Sequence, residues 1–285
     1  MKDKKNITVA FQGKKGAYSE QASYQYFKSI DQEINAYGLD YSEDVIGAVL
    51  EEETDYGILP IENSIVGHVD INQDLLTNPD LFIFGETFLH IHHHLLGLKG
   101  STLDDITEVH SHPIALGQCK DFLARHKIDP VAHFDTAGSA KSLVKNKQKH
   151  VGTISSQLCA NYYGLDIIHD RIQKVKKNYT RFLAFSKKSN IPKGLKQEIT
   201  SMAIMTKHDP GSLVRCLAVF SEHGINLTKL ESRPIPEDPF NYIFYIDILA
   251  GLDDEKTQVC LNEIKTHARD LKIMGSYPKA TRVFD

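Results

Sequence analysis

The sequence predicts an α/β fold in two parts: alternating strands and helices to about residue 190, then a smaller βαββαβ module from about residue 198. Three observations carry this. In the first part, short apolar runs end in small polar residues and are followed by apolar stripes at helical spacing. The polar segment Ser186–Lys196, with Pro192 and Gly194, separates two apolar stretches as a linker does. Beyond it the pattern changes to strand, helix, strand, strand, helix, strand.

In chain order, Ile7–Phe11 is a buried-strand candidate, and Gly13-Lys14-Lys15-Gly16 a turn. Ser19 is placed to cap a helix bearing Ala22, Tyr26 and Phe27. Tyr56–Ile61 is a second strand, ending in Glu62, Asn63 and Ser64. Pro113 opens a helix whose stripe is Leu116, Cys119, Phe122 and Leu123. Asp135 and Thr136 cap a helix through Lys141, and Val151–Ile154 is a strand followed by Ser155 as a cap. In the second part, Ser201–Thr206 is a strand. Gly211 then opens a helix carrying Leu213, Cys216, Leu217 and Phe220, with Gly224 at its C′ position. Ile225–Ser232 and Tyr242–Leu249 are strands around Pro234, Pro236 and Pro239. Asp253-Asp254 caps a last helix before a short strand, Leu271–Met274.

Composition narrows the function classes. The chain has 285 residues, 41% hydrophobic and 25% charged, which is ordinary globular composition rather than that of a disordered chain. Its net charge of −4 argues against non-specific nucleic-acid binding. The most apolar stretch, Tyr242–Leu252, is interrupted by Asp247 and falls short of the roughly 20 residues of a membrane span. Lys2, Lys4 and Lys5 precede an apolar run too short for a secretory leader. Cys119, Cys159, Cys216 and Cys260 form no CxxC pair and read as free thiols in a reducing cytosol.

Several segments place small polar residues where a strand gives way to a helix, a geometry suited to carboxylate or phosphate. The Gly13–Gly16 loop is neither a dinucleotide fingerprint nor a P-loop, and reads either as such a site or as an exposed turn. Glu62-Asn63-Ser64 is either a plain cap or a ligand site at a strand's C-terminal end. Thr180 and Arg181, on a strand, would face opposite ways. Lys174, Lys176 and Lys177 before them read most simply as a solvated loop, with weak attraction of an anionic substrate as the alternative. His90, His92 and His94 alternate; on a strand they would share one face, with His93 opposite. With no carboxylate or cysteine at matching spacing, this run, like His110 and His112, reads as a polar strand face rather than a metal centre.

With these residues in view, the chain resembles the monofunctional bacterial prephenate dehydratases that carry a C-terminal ACT regulatory domain. Five segments carry the resemblance: Val9–Ser19, Leu59–Ser64 with Gly67, Ser111-His112-Pro113 with Gln118-Cys119, Asp135–Ser139, and Asn178–Phe182. Gly211–Val214 and Glu231–Pro234 match the ACT part. Lys14, Ala17, Ile114 and Ser212 depart from residues common in the family.

The resemblance implies a two-lobed, periplasmic-binding-protein-like catalytic domain over residues 1–190. One lobe would be about 1–84 with 170–190, the other about 85–169, with a ferredoxin-like ACT domain over 198–285. It implies the conversion of prephenate to phenylpyruvate, water and carbon dioxide, in the cytoplasm, without cofactor or metal. Thr180 would stand at the departing hydroxyl, and Glu62 could supply its proton. Asn63, Gln118 and Ser64 would hold the carboxylates or leaving oxygen without added charge. Ser19, Arg181, Thr136, Ser139 and Phe182 would complete the substrate site. Phenylalanine would inhibit by binding Gly211, Ser212, Leu213, Val214, Glu231, Ser232 and Arg233 between paired ACT domains, so that a homodimer or homotetramer is expected, with neither nucleic acid nor membrane as partner. Two other readings stay open: an arogenate dehydratase, and a non-catalytic sensor of amino acids.

Overall fold

The first β-α unit of the chain is β1 (Ile7–Gln12), which is apolar and buried at Val9, Ala10 and Phe11, followed by α1 (Tyr18–Ser29). A computed structural model describes residues 7–235 and 238–280; Lys2, Lys4, Lys5 and Pro236 lie outside the described residues. Next come β2 (Ile34–Leu39), α2 (Ser42–Leu50), β3 (Tyr56–Asn63), the two-residue β4 (Gly67–His68) and α3 (Asp70–Leu75). β5 (Leu81–His90) leads to β6 (His94–Gly97), β7 (Glu108–Ser111), α4 (Pro113–Gln118), α5 (Lys120–His126) and β8 (Asp129–Ala132). Then follow α6 (Thr136–Asn146), β9 (Val151–Ser155), α7 (Gln157–Tyr163), β10 (Asp166–His169) and β11 (Tyr179–Lys187). The last six elements are β12 (Ile199–Thr206), α8 (Ser212–Glu222), β13 (Leu227–Ile235), β14 (Asp238–Ile248), α9 (Glu255–His267) and β15 (Ala268–Tyr277). The chain is thus mixed α/β, as expected.

The described residues divide into two compact units. One holds the chain up to Asn72 together with Thr87–Phe182; the other holds Gln73–Glu86 and the chain from Leu183 onward.

The first unit contains two sheets and is two-lobed. One sheet has the order β11-β3-β1-β2, with β1 parallel to both β2 and β3. The other has the order β10-β6-β9-β7-β8, with parallel pairs β7–β8 and β7–β9. The second sheet is buried on both faces, as βα crossovers require. Leu95, Val109 and Phe122 pack on one side; Leu96, Leu143 and Cys159 pack on the other.

The chain crosses between these sheets twice, after β5 and before β11. The crossings are tied together: Ile91 N–H donates to the Asn178 carbonyl (2.7 Å) and Ile172 N–H to that of His93 (2.8 Å). The Gln173 side chain accepts from His93 N–H (3.0 Å) and donates to the Ile91 carbonyl (3.3 Å). The histidine run is this crossing. His90 ends β5 and His94 starts β6, so the predicted single strand face does not form; the chain must leave one sheet and enter the other there. His93 and His94 are buried, and among the described residues no cluster suited to a metal ion occurs.

In the second unit β12 lies antiparallel to β14 and β15, and β13 antiparallel to β14, giving the order β13-β14-β12-β15. Cys216 and Phe220 of α8 and Cys260 and Ile264 of α9 share one core with Met202, Ile204 and Ile246 of the sheet. This is the expected βαββαβ arrangement.

Details differ from the sequence reading. Helix α1 starts one residue before Ser19, with Ala17 at its N-cap and no side-chain cap; the Glu20 carboxylate reaches back to accept from Gly16 N–H (2.5 Å) in the preceding loop. Ser156, not Ser155, caps α7 by accepting from Cys159 N–H (3.1 Å), because Ser155 still pairs within β9. The stripe from Leu116 to Leu123 is buried, but across two short helices that break at Cys119. Asp135, Asp254 and Gly211 stand at helix starts as predicted, while β15 is ten residues long rather than a short strand. All four cysteines are buried and unpaired. Among the described residues, no helix is long and apolar enough to cross a membrane.

Candidate active site

The site is built from the backbone outward. At the end of β3 the chain turns sharply, and the Asn63 carboxamide oxygen accepts from the N–H groups of Ile65 and Val66 (both 3.0 Å). Backbone amides are donors only, so they fix which end of Asn63 is oxygen. Its nitrogen must then face the other way. It donates one hydrogen to Asn178 Oδ1 (2.8 Å) and the other to Thr180 Oγ1 (2.9 Å).

The polarity propagates along the first of these branches. Asn178 Oδ1 is an acceptor, so Asn178 Nδ2 is the group that donates to Gln118 Oε1 (3.0 Å). Gln118 Oε1 also meets His93 Nε2 at 2.8 Å, so this nitrogen carries the proton. His93 Nδ1 is therefore an acceptor, and the one proton of the Tyr18 hydroxyl is shared between the His92 carbonyl (2.7 Å) and that nitrogen (2.8 Å). A directed chain of six side chains thus runs from Tyr18 to Thr180, and every member is uncharged.

Its electrostatics agree. Burial pushes the His93 imidazole down to about 4, against the raising effect of the Gln118 hydrogen bond, so the ring is neutral at pH 7. Burial likewise raises Tyr18 well above its ordinary value and keeps it a phenol. His92 is also lowered to about 4, by burial first and by His90 second.

On the second branch Thr180 Oγ1 accepts from Asn63, which leaves its own hydroxyl proton to be donated elsewhere. Accepting one hydrogen bond makes that proton a better donor. Nearby, a cavity of about 340 Å³ is lined by Ile65, Val66, Ile114, Gln118, Lys174 and Val175. One lobe supplies Ile65 and Val66, the other Ile114 and Gln118. The arrangement offers neutral donors beside a largely apolar cavity, which suits a ring bearing groups that must leave.

Of the predicted site residues, the structure brings together Asn63, Gln118 and Thr180. Alternation along β3 sends Glu62, one residue earlier, to the opposite face from Asn63. The Ser64 hydroxyl accepts from Tyr179 N–H (2.9 Å), so it braces β3 against β11. Ser19 and Phe182 are buried, and Thr180 and Arg181, although adjacent on a strand, are both buried as well. Ser139 donates to the Thr136 carbonyl (2.8 Å) and meets Thr153 Oγ1 at 2.5 Å, inside the second lobe. Tyr18, His93 and Asn178 were not predicted as site residues. Tyr18 and Asn178 stand within recognised segments, but nothing in the sequence alone pairs His93 with a glutamine 25 positions on.

The Gly13–Gly16 loop is not an exposed turn. Gly16 is buried at φ +95°, its carbonyl accepts from the Ser156 hydroxyl (2.6 Å), and a Cβ there would lie 2.5 Å from Cys159 Sγ. The three basic residues before β11 differ in their partners: Lys174 pairs with Asp121 (2.8 Å) and Lys176 donates to the Arg171 carbonyl (2.7 Å).

In the second unit, a cavity of about 410 Å³ is lined by the residues from Thr206 to Val214, including Gly211, Ser212, Leu213 and Val214. Glu231, Ser232 and Arg233 do not line it. Instead Arg233 grips the Asp74 carboxylate through Nε and Nη2 (2.8–3.1 Å), and Tyr245 donates to the same carboxylate (2.7 Å). Lys229 lies 3.0 Å from Glu231 and donates to Gln73 (2.6 Å).

Comparison with known proteins decides the family. The family model for prephenate dehydratase matches residues 9–190, a span that includes the whole uncharged chain of side chains. The chain belongs to the prephenate dehydratase family. It is 36% identical to the prephenate dehydratase of Methanocaldococcus jannaschii, over 98% of this chain and 100% of that one. It is also 36% identical to arogenate dehydratase/prephenate dehydratase 2 of Arabidopsis thaliana, over 96% of this chain and 74% of that one. Among solved structures, prephenate dehydratase from Arthrobacter aurescens in complex with L-Phe superimposes with a TM-score of 0.86 at 27% identity, covering 96% of this chain and 90% of that one. A structure described as a novel type of quorum quenching acylase also has a TM-score of 0.86, at 30% identity and covering 96% and 98%.

Proposed function

We propose that this member of the prephenate dehydratase family converts prephenate to phenylpyruvate at the uncharged cluster of Asn63, Gln118 and Thr180, and that phenylalanine inhibits it through the C-terminal βαββαβ module. The observation that carries the catalytic part is the direction of the hydrogen bonds, which leaves the Thr180 proton free to be donated.

The chemistry needs little else. The C1–carboxylate bond breaks, its electron pair moves into the ring, and the C4–oxygen bond breaks as the ring becomes aromatic. The leaving hydroxide takes one proton and departs as water. Threonine is a weak acid, so Thr180 acts by holding a hydrogen bond to the developing negative oxygen, with solvent as the final proton source. Gln118 offers its amide N–H groups to a carboxylate. A strong ion pair to the departing carboxylate would stabilise the ground state more than the transition state, so neutral donors favour the reaction. Glu62, Ser64, Ser19, Arg181, Thr136, Ser139 and Phe182 support this site as its shell. Their positions favour framing it over touching the reacting atoms.

The regulatory part rests on the 410 Å³ cavity at Thr206–Val214 and on the L-Phe complex of the Arthrobacter relative. Gly211 sits there at φ +78°, which a side chain would resist. We propose catalytic residues 1–190 and a regulatory domain at 198–285, in a cytoplasmic homodimer or homotetramer. Exposed Val214, Leu230 and Tyr242 in the second unit favour burial against a partner copy.

A second reading, arogenate as substrate, is favoured by the relatives named for both activities. Purified protein offered prephenate and arogenate in parallel, with and without phenylalanine, tests all of this. Prephenate turnover suppressed by phenylalanine is the expected result. Faster turnover of arogenate supports the second reading, and no turnover of either by folded protein leaves an amino-acid sensor.

A further inference from the structure

We infer that His93 and Tyr18 are positioning residues of the dehydratase site, holding Gln118 with its oxygen turned inward and its N–H groups presented to the substrate. The inference rests on the assignment of Gln118 to that site.

A glutamine side chain has three rotatable bonds and two ends of nearly equal shape. Beside a largely apolar cavity it would sample several orientations, and only one presents donors to a carboxylate. The structure removes this freedom from two sides. Asn178 Nδ2 and His93 Nε2 both aim hydrogens at Gln118 Oε1, at 3.0 and 2.8 Å. Turning the carboxamide over would set its NH₂ against two donors. The asparagine donor is fixed by the backbone amides of Ile65 and Val66 through Asn63. The histidine donor has no such anchor of its own, because a neutral imidazole can carry its proton on either nitrogen.

Tyr18 supplies that anchor. Its single hydroxyl proton is shared between the His92 carbonyl (2.7 Å) and Nδ1 (2.8 Å), so Nδ1 is met as an acceptor and the proton stays on Nε2. The ring itself is edge-on to Tyr18, with centroids 5.5 Å apart, and His93 N–H is held by Gln173 Oε1 (3.0 Å). His93 is only 4% exposed, so water does not compete for either nitrogen.

The test uses the full chain and separates kcat from KM for prephenate. His93→Leu is expected to lower kcat/KM on the order of 10²-fold, the cost of a misplaced group. His93→Gln, whose carboxamide N–H reaches about where Nε2 stands, should recover most of this. Tyr18→Phe should cost about tenfold, the equivalent of one hydrogen bond. The decisive measurement is His93→Leu made in a Gln118→Ala background. There it should cost less than about twofold further, because a residue acting through Gln118 has nothing left to position.

If both variants fold and their costs simply multiply, His93 acts by another route and the inference is overturned. It is equally overturned if His93→Gln is as impaired as His93→Leu at unchanged Tm. Should His93→Leu fail to fold, Tyr18→Phe in the same background carries the identical test. Full turnover by Gln118→Ala would instead remove Gln118 from the site, and the inference with it.

Discussion

Two clusters of polar side chains in this chain are built on opposite principles. Six side chains from Tyr18 to Thr180 are neutral, and each is oriented by its neighbour. Along β13, Lys229, Glu231 and Arg233 are charged, and each is already paired. The difference fits the roles proposed for the two places, substrate conversion at the first and effector binding at the second. A substrate that has to lose a carboxylate is held too well by a fixed cation, so direction rather than charge supplies the selectivity. An effector that is merely bound and released has no such limit. There, charges can be stored against one another until a ligand competes for them.

The largest effect should come from breaking the neutral chain at its reacting end. Thr180→Ala should lower kcat by about 10²–10³-fold, the range of one hydrogen-bond donor to a developing oxyanion, while Thr180→Ser restores much of it. Steady-state turnover of prephenate measures both. Wild-type turnover in Thr180→Ala would mean that the directed bonds serve stability alone.

Much of this chain could be read from the sequence, and the part that could not has a physical reason. Asn63, Gln118 and Thr180 stand in recognisable segments, and the βαββαβ order of the second part follows from its apolar periods. The alternation of His90, His92 and His94 implies a strand face with His93 opposite, which is not where His93 lies. The chain instead changes sheets there, a tertiary fact that local spacing does not encode. Glu62 and Ser64 adjoin Asn63 in sequence, yet β3 sends one to the other face, and the Tyr179 backbone occupies the other. Asp74 was invisible for the same reason: its partners Arg233 and Tyr245 lie 159 and 171 positions away.

A second effect separates neutrality by design from neutrality by default. His93 has a folded value of about 4 against an ordinary 6.5. Between these values the unfolded chain binds a proton that the folded one refuses, so stability falls as pH drops from 6.5 toward 4. The loss owed to this residue is about 2 kcal/mol between pH 7 and pH 5. Urea unfolding at the two values, compared with His93→Gln, isolates it. An equal loss in the variant would assign the slope to other groups.

Smaller in reach is a change that leaves every polar partner in place. Gly16→Ala would put a methyl 2.5 Å from Cys159 Sγ at a backbone φ of +95°. The expected cost is about 2 kcal/mol of stability, from strain and displacement. A thermal scan reads it directly. If Tm holds but turnover falls, the loop serves the site through the lobes' contact at Ser156 rather than through folding.

The smallest effect, and the sharpest for the comparison, concerns the charged cluster. Asp74 accepts from Arg233 and Tyr245, and Asp74→Asn removes the carboxylate charge that faces the guanidinium. If Arg233 belongs to the phenylalanine site, the carboxylate of phenylalanine and that of Asp74 compete for it. The variant should then be inhibited at several-fold lower phenylalanine, within the ~1–3 kcal/mol range of ordinary coupling. Turnover without effector should not change, since Asp74 touches none of the neutral chain. Inhibition curves for the two proteins, at fixed prephenate, decide it. Weaker inhibition would mean that the ion pair shapes the site rather than guarding it. An unchanged curve would take Arg233 out of phenylalanine recognition and leave the cavity at Thr206–Val214 to bind the effector without it.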